Sequence, residues 1–183
     1  MGGFNNTFIL LKNNENAKDF LVDFHVKLLK LNISLEKDWG AIVFNDQRND
    51  AEKEPFELED FKTDEEIIDI VCSWKGLGLL SYRHLNIEFP FYINYISWDD
   101  QYLQGIEISY QLSAENYTNR DNIKNNIILK IIELIDPELA VGSIGNSEDD
   151  FRTDLDLEYN LKYIENKNFD IDNRSKSKLQ GNI

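Results

Sequence analysis

Residues 87–112 read IEFPFYINYISWDDQYLQGIEISYQL, and their period of two decides the fold class. Ile87, Phe89, Phe91, Ile93 and Tyr95 share one parity; further on, Ile106, Ile108, Tyr110 and Leu112 alternate with Glu107, Ser109 and Gln111. Successive side chains of a strand point to opposite faces, so each run carries an apolar face and a more polar one. DDQYLQG between them supplies the turn of an antiparallel hairpin. Pro90 has no N–H to give a ladder, which predicts an edge position or a bulge where the hairpin begins.

Working outward, the spacing changes to that of helices. Phe20, Leu21, Phe24, Leu28 and Leu31 predict a first helix from Ala17 to Leu31, with Asn14 or Asn16 as its N-cap. Thr63-Asp64-Glu65-Glu66 offers a capping box, its carboxylates favoured by the helix dipole, and opens a short second helix that runs to about Trp74. Ile123, Ile127, Ile128, Ile131, Leu134 and Ile135 predict a third helix over 119–136, stopped by Pro137 and deeply packed because Leu129 and Ile132 widen its stripe. TFILLK at 7–12 and GAIVF at 40–44 read as strands, and KGLGL at 75–79 as a turn, since it lacks the third Gly and the Lys-Ser/Thr pair of a phosphate loop. FRTDLDLEYNLKYI at 151–164 alternates as well, and predicts a late strand with Leu155, Leu157 and Tyr159 inward and Asp154, Asp156 and Glu158 outward. Helices laid on a mainly antiparallel sheet make an α+β fold, a single domain over 1–165 followed by a polar, flexible tail over 166–183.

The chain has 183 residues, 42% of them hydrophobic, with 11 Phe, 8 Tyr and 3 Trp, enough for a core that buries roughly 70% of the unfolded surface. The lone Cys72 excludes an intramolecular disulfide, no apolar run approaches the ~18 residues of a membrane span, and nothing near Met1 joins a basic start to a secretory apolar run. A cytoplasmic protein is expected. Frequent Asn and Ile, with Lys outnumbering Arg, are compatible with a bacterial source.

The net charge of −15 is concentrated in two places. Residues 46–69 hold eleven carboxylates against three basic side chains, and residues 148–158 hold six against Arg152. Such a surface repels phosphate backbones and anionic lipid, so neither nucleic acid nor membrane is expected as a partner; a basic protein is. Solvated acidic faces that keep the protein dispersed are the plainer alternative. The carboxylates nominated for contact are Glu52, Glu54, Glu57, Asp154, Asp156 and Glu158. Tyr92 and Trp98, which with Asn94 stand opposite the hairpin's core parity, are nominated as aromatic anchors.

Little else in the chain suggests chemistry. His25 lies inside the first helical pattern and reads as structural. His84 beside Ser81 and Arg83 has sequence proximity without the geometry of a triad. Cys72 reads as a small buried thiol. Without HExxH or CxxC, and with DLDLE lacking the Gly and Glu of an EF-hand, neither metal nor cofactor is expected.

In size, acidity and α+β pattern the chain resembles the small immunity proteins of bacterial polymorphic toxin systems. That resemblance implies a non-catalytic module that neutralises a secreted toxin domain by occluding it, its carboxylates standing in for the anionic groups the toxin binds. The competing classes are a hydrolase working through carboxylates alone and a small-molecule-binding regulatory domain that uses the aromatic sheet face.

Overall fold

The computed structural model describes residues 4–45, 52–111, 113, 118–144, 149, 151–152 and 156–174. In chain order the elements are β1 (Phe4–Glu15), α1 (Ala17–Lys30), β2 (Ile33–Leu35), β3 (Ala41–Phe44), β4 (Phe56–Glu57), a 3-10 turn (Leu58–Asp60), α2 (Asp64–Cys72), β5 (Gly78–His84), β6 (Phe91–Ile96) and β7 (Leu103–Gln111). There follow α3 over 120–135, which contains a π-helical turn at Lys124–Ile128, then β8 (Leu139–Gly142), α4 (Leu157–Glu165) and β9 (Ile171–Asp172). The α+β expectation holds: among the described residues nine strands form one sheet in the order β4-β3-β5-β6-β7-β1-β8-β9, with β2 paired to β5, and their ladders are antiparallel.

The hairpin lies at the centre of the sheet, Tyr92 opposite Ser109 and Ile96 opposite Gly105. Its turn is held by Asp99, whose carboxylate accepts from the backbone N–H of Gln101 and Tyr102, both at 2.9 Å, while Asp100 adopts a left-handed φ of 61°. The segment 75–79 turns at Leu77, φ 61°, and then feeds β5 directly from Gly78, where a Cβ would strike the carbonyl oxygen of Val43 on the neighbouring strand.

One face of the sheet is covered by α1, α2 and α3. Asn16 caps α1 by accepting from Asp19 N at 3.1 Å. In the capping box of α2, Thr63 Oγ1 accepts from Glu66 N at 3.2 Å and Glu66 Oε2 accepts from Thr63 N at 3.0 Å. These helices bury Leu21, Phe24, Leu28, Ile67, Val71, Ile127 and Ile131 against Ile42, Leu80, Tyr82, Ile93, Tyr95 and Ile106. Each buried aliphatic side chain contributes about 1.5–3 kcal/mol of transfer free energy. Asp136, at φ 48°, ends α3 just before Pro137.

The other face carries a second, smaller core, and here two expectations are corrected. Residues 157–165 form a helix, not a strand, so Tyr159 is 37% exposed while Asn160 is fully buried. The stretch satisfies two periods at once, because Leu157, Asn160 and Ile164 also recur at helical spacing. Capping decides between them: Asp156 accepts from Tyr159 N at 3.0 Å, and Glu158 pairs with Lys162 one turn on at 2.8 Å. Asp154 and Leu155 lie outside the described residues. The second correction concerns the tail, which does not begin at 166. Strand β9 pairs with β8, and Arg174 donates to the carbonyls of Ile164 at 2.7 Å and Lys167 at 2.8 Å, closing the C-terminal end of α4. Residues 175–183 lie outside the description.

Candidate binding surface

Strand register arranges the second face in rows. One row runs Val43, Leu79, Asn94, Glu107, Phe8 and Val141 across five ladders; the next runs Tyr92, Ser109 and Asn6. At the β1–β8 side this face is closed by α4 and the segment before it, where Phe8, Ile96, Trp98, Val141, Phe151 and Ile164 pack together. Trp98 lies over Gly105, where any Cβ would collide with the indole. Phe151 stacks on Phe8 at 5.4 Å and on Phe169 at 5.9 Å between ring centroids.

Phe151 also forms one wall of what α4 leaves uncovered. An open trough of about 430 Å³ lies on the sheet, with Phe4, Leu79, Tyr92 and Phe151 as its apolar lining and Asn6, Glu107 and Ser109 as its polar lining. Phe4 and Tyr92 meet at 6.2 Å. The Glu107 carboxyl is lifted to about 7 because burial disfavours its charged form; the hydrogen bond from the Asn94 side chain acts in the opposite direction and only partly offsets this. The buried Oδ1 of Asn6 accepts no hydrogen bond among the described residues. A desolvated carboxyl and an unpaired, buried amide oxygen beside one cavity are the kind of unbalanced polar groups that mark a binding site.

The nominated residues fall in different surroundings. Tyr92 lines the trough. Trp98 is only 7% exposed and belongs to the core beneath α4, so it offers no surface anchor. The even parity of β6 looks outward only in a sheet covered on one side, and this sheet is covered on both at that end. Glu52, Glu54 and Glu57 are exposed. Glu57 pairs with Ala41, which shares a face with Val43, so Glu57 stands at the sheet edge on the face that bears the trough. Asp156 and Glu158 are exposed on α4, Asp156 as the cap already described. Within the second acidic segment Asp149 is buried rather than solvated, its carboxyl raised by desolvation, so that segment presents less surface charge than its composition implies. In the first segment Lys53 sets its ammonium 4.2 Å from the centroid of the Phe44 ring and 5.5 Å from that of Trp74.

Phe4, Asn6, Leu79, Glu107, Ser109 and Phe151 are the trough residues that the sequence pattern does not single out. Glu107 carries the one signal available, a carboxylate in a strand flanked by Ile106 and Ile108, and that signal reads equally well as a solvated outer face.

The histidines and the cysteine have structural surroundings. His25 Nδ1 meets the carbonyl of Leu21 at 2.7 Å and must donate there, so Nε2 accepts from Tyr82 Oη at 2.9 Å, and Tyr82 in turn accepts from Tyr95 at 2.7 Å. Burial holds the His25 imidazole below its ordinary value. His84 accepts from Asn86 N at 3.2 Å. Burial pushes the Cys72 thiol up to about 11, away from thiolate reactivity. Among the described residues no group of three His, Cys, Asp or Glu side chains is placed to hold a metal ion, and no helix is long and apolar enough to cross a membrane. Comparison with models of protein families, with curated proteins and with solved structures found no match, so the surface is read from its own geometry.

Proposed function

We propose that this protein is a non-catalytic binding module, a cytoplasmic immunity protein that neutralises a cognate bacterial toxin by docking on it and occluding its basic active surface. The observation that carries the reading is the open trough around Glu107, set in a sheet face with Glu57 at its edge and the helix of Asp156 and Glu158 over its other part. A partner rich in Lys and Arg meets carboxylates on that side, and complementary charge both steers encounter and rejects acidic competitors. The test is affinity capture from the source organism, followed by co-expression with whatever basic protein is retained. Suppression of that protein's toxicity is expected; a captured partner that is acidic, or a toxicity that co-expression leaves unchanged, defeats the reading.

A hydrolase reading draws on the same carboxyl, since a Glu lifted to about 7 suits general acid–base work near neutrality. The trough supplies one carboxyl and no imidazole among its described lining residues, whereas glycoside hydrolysis ordinarily uses a pair. Turnover of an ester, phosphate or glycoside panel that is lost in Glu107→Gln would favour the hydrolase.

A further inference from the structure

We propose that the trough is a receptor for one cationic group, a guanidinium or primary ammonium at the end of an aliphatic stem. Its source is an Arg or Lys side chain of the partner, an identification that rests on the protein-binding reading above.

Three features select a cation. First, the polar lining holds one ionisable side chain, the Glu107 carboxyl, beside the Ser109 hydroxyl and the amide of Asn6, whose Oδ1 accepts no hydrogen bond among the described residues. No Lys, Arg or His is among the described lining residues, so an anion would meet a carboxylate and no counter-charge. Second, Phe4, Tyr92 and Phe151 share the lining with these polar groups, and aromatic rings attract ammonium and especially guanidinium groups while packing against a methylene stem. Third, the volume of about 430 Å³ falls within the roughly 300–1,000 Å³ of ordinary small-ligand pockets, ample for a long side chain entering from the open side.

The energetics run in the same direction. Glu107 is desolvated, no cationic side chain is among the described lining residues, and the one other titratable group among them is Tyr92. A cation seated against the carboxylate supplies the missing counter-charge, and by linkage its binding must lower the carboxyl's pKa. Below about 7 the carboxyl is protonated in the free protein, so binding there releases a proton, and affinity weakens about tenfold for each pH unit further down.

The test uses the full chain and three small probes: N-acetyl-arginine N-methylamide, its lysine counterpart, and the citrulline compound, which matches arginine in shape but carries no charge. Carboxyl-carbon NMR follows the Glu107 titration while each is added. The arginine and lysine probes should bind, lower the Glu107 midpoint and lose affinity on acidification, and citrulline should bind at least about tenfold more weakly. Glu107→Gln should weaken the cationic probes by a similar factor. Leu79→Arg, which places a cation in the trough from within, is the second variant and should exclude them. Equal binding of citrulline and arginine overturns the proposal, as does a Glu107 midpoint that no probe moves. If a captured basic partner binds Glu107→Gln and Leu79→Arg with undiminished affinity, the cation site is not its docking point and the proposal falls while the protein-binding reading stands. If the arginine probe binds as stated but no basic protein partner exists, the cation site stands, its ligand is a free amine, and the protein-binding reading falls.

Discussion

Asn160 holds the backbone of Arg152 at both of its polar groups: Oδ1 accepts from Arg152 N at 2.9 Å, and Nδ2 donates to Arg152 O at 3.0 Å. A fully buried amide on α4 thus does for an irregular segment what a neighbouring strand does in a ladder. The link matters because Arg152 follows Phe151, the ring that both stacks on Phe8 and walls the trough. Removing the amide takes from two part-buried backbone groups the partners that Asn160 gives them. Asn160→Leu should therefore destabilise the protein by about 2–4 kcal/mol, whereas Tyr159→Ala on the exposed side should change stability by less than about 1 kcal/mol. Urea unfolding of both variants checks this, and equal losses would mean that the helical register has been misplaced.

Glu107 should give the protein a stability that declines as pH rises. Its folded pKa of about 7 lies above the ordinary value of 4.5, so the folded state holds the proton more tightly than the unfolded chain does. The resulting stabilisation is complete below 4.5 and is lost as pH climbs through about 7. Glu107→Gln removes the titrating group and should flatten this decline, becoming the more stable protein at pH 8. Denaturation curves at pH 5, 6, 7 and 8 for both proteins decide it; a variant that falls with pH as steeply as the native protein places the titration elsewhere.

His25 should act in the opposite sense. Burial lowers its folded pKa below 6.5, so the unfolded chain takes up the proton first as pH drops. Its contribution is intact above 6.5 and diminishes as pH falls toward the depressed folded value. Protonation would also reverse the hydrogen-bond chain, because Nε2 would donate to Tyr82 and leave the buried Tyr95 hydroxyl without its acceptor. Tyr82→Phe removes both bonds of that hydroxyl and should lose about 2–4 kcal/mol at neutral pH. NMR titration of the imidazole gives the direct measurement, and a midpoint at or above 6.5 in the folded protein contradicts the arrangement.

The parts of the fold legible in the sequence are those governed by local signals. Thr63 and Glu66 announce their own helix, Pro137 ends another, and the alternation around Ile93 and Ile108 places both strands with the correct inward parity. The second face was not legible, because alternation reports which side of a strand is apolar and not what lies against the other side. Phe8, Ile96 and Trp98 are buried there because α4, far along the chain from all three, packs over them. The helix itself was hidden by a sequence that satisfies both periods until the Asp156 cap is seen to choose. The trough is less legible still: Phe4, Leu79, Tyr92, Glu107 and Phe151 come from five separate stretches, the first four brought together by the register of three ladders and Phe151 by its stacking on Phe8.

Association with the proposed basic partner should be steered by charge, and the fold changes how that is tested. Exposed charges act over about a Debye length, ~10 Å at 0.1 M salt, so raising ionic strength should slow association far more than it speeds dissociation. Glu52, Glu54 and Glu57 are exposed and can be reversed to Lys together. On α4 the same treatment of Asp156 would remove a cap worth about 1 kcal/mol and confuse charge with folding. Asp156→Asn keeps the capping oxygen while deleting the charge, and paired with Glu158→Lys it forms a clean second arm. Stopped-flow association rates across a salt series should fall for both arms at low ionic strength and converge with the native rate at high salt. The arm with the larger effect marks the side that meets the partner, and because Glu57 shares the trough's face, the β4 arm is expected to be that one. Rates indifferent both to salt and to the two arms would remove electrostatic steering and leave recognition to the rings and acceptors around Glu107.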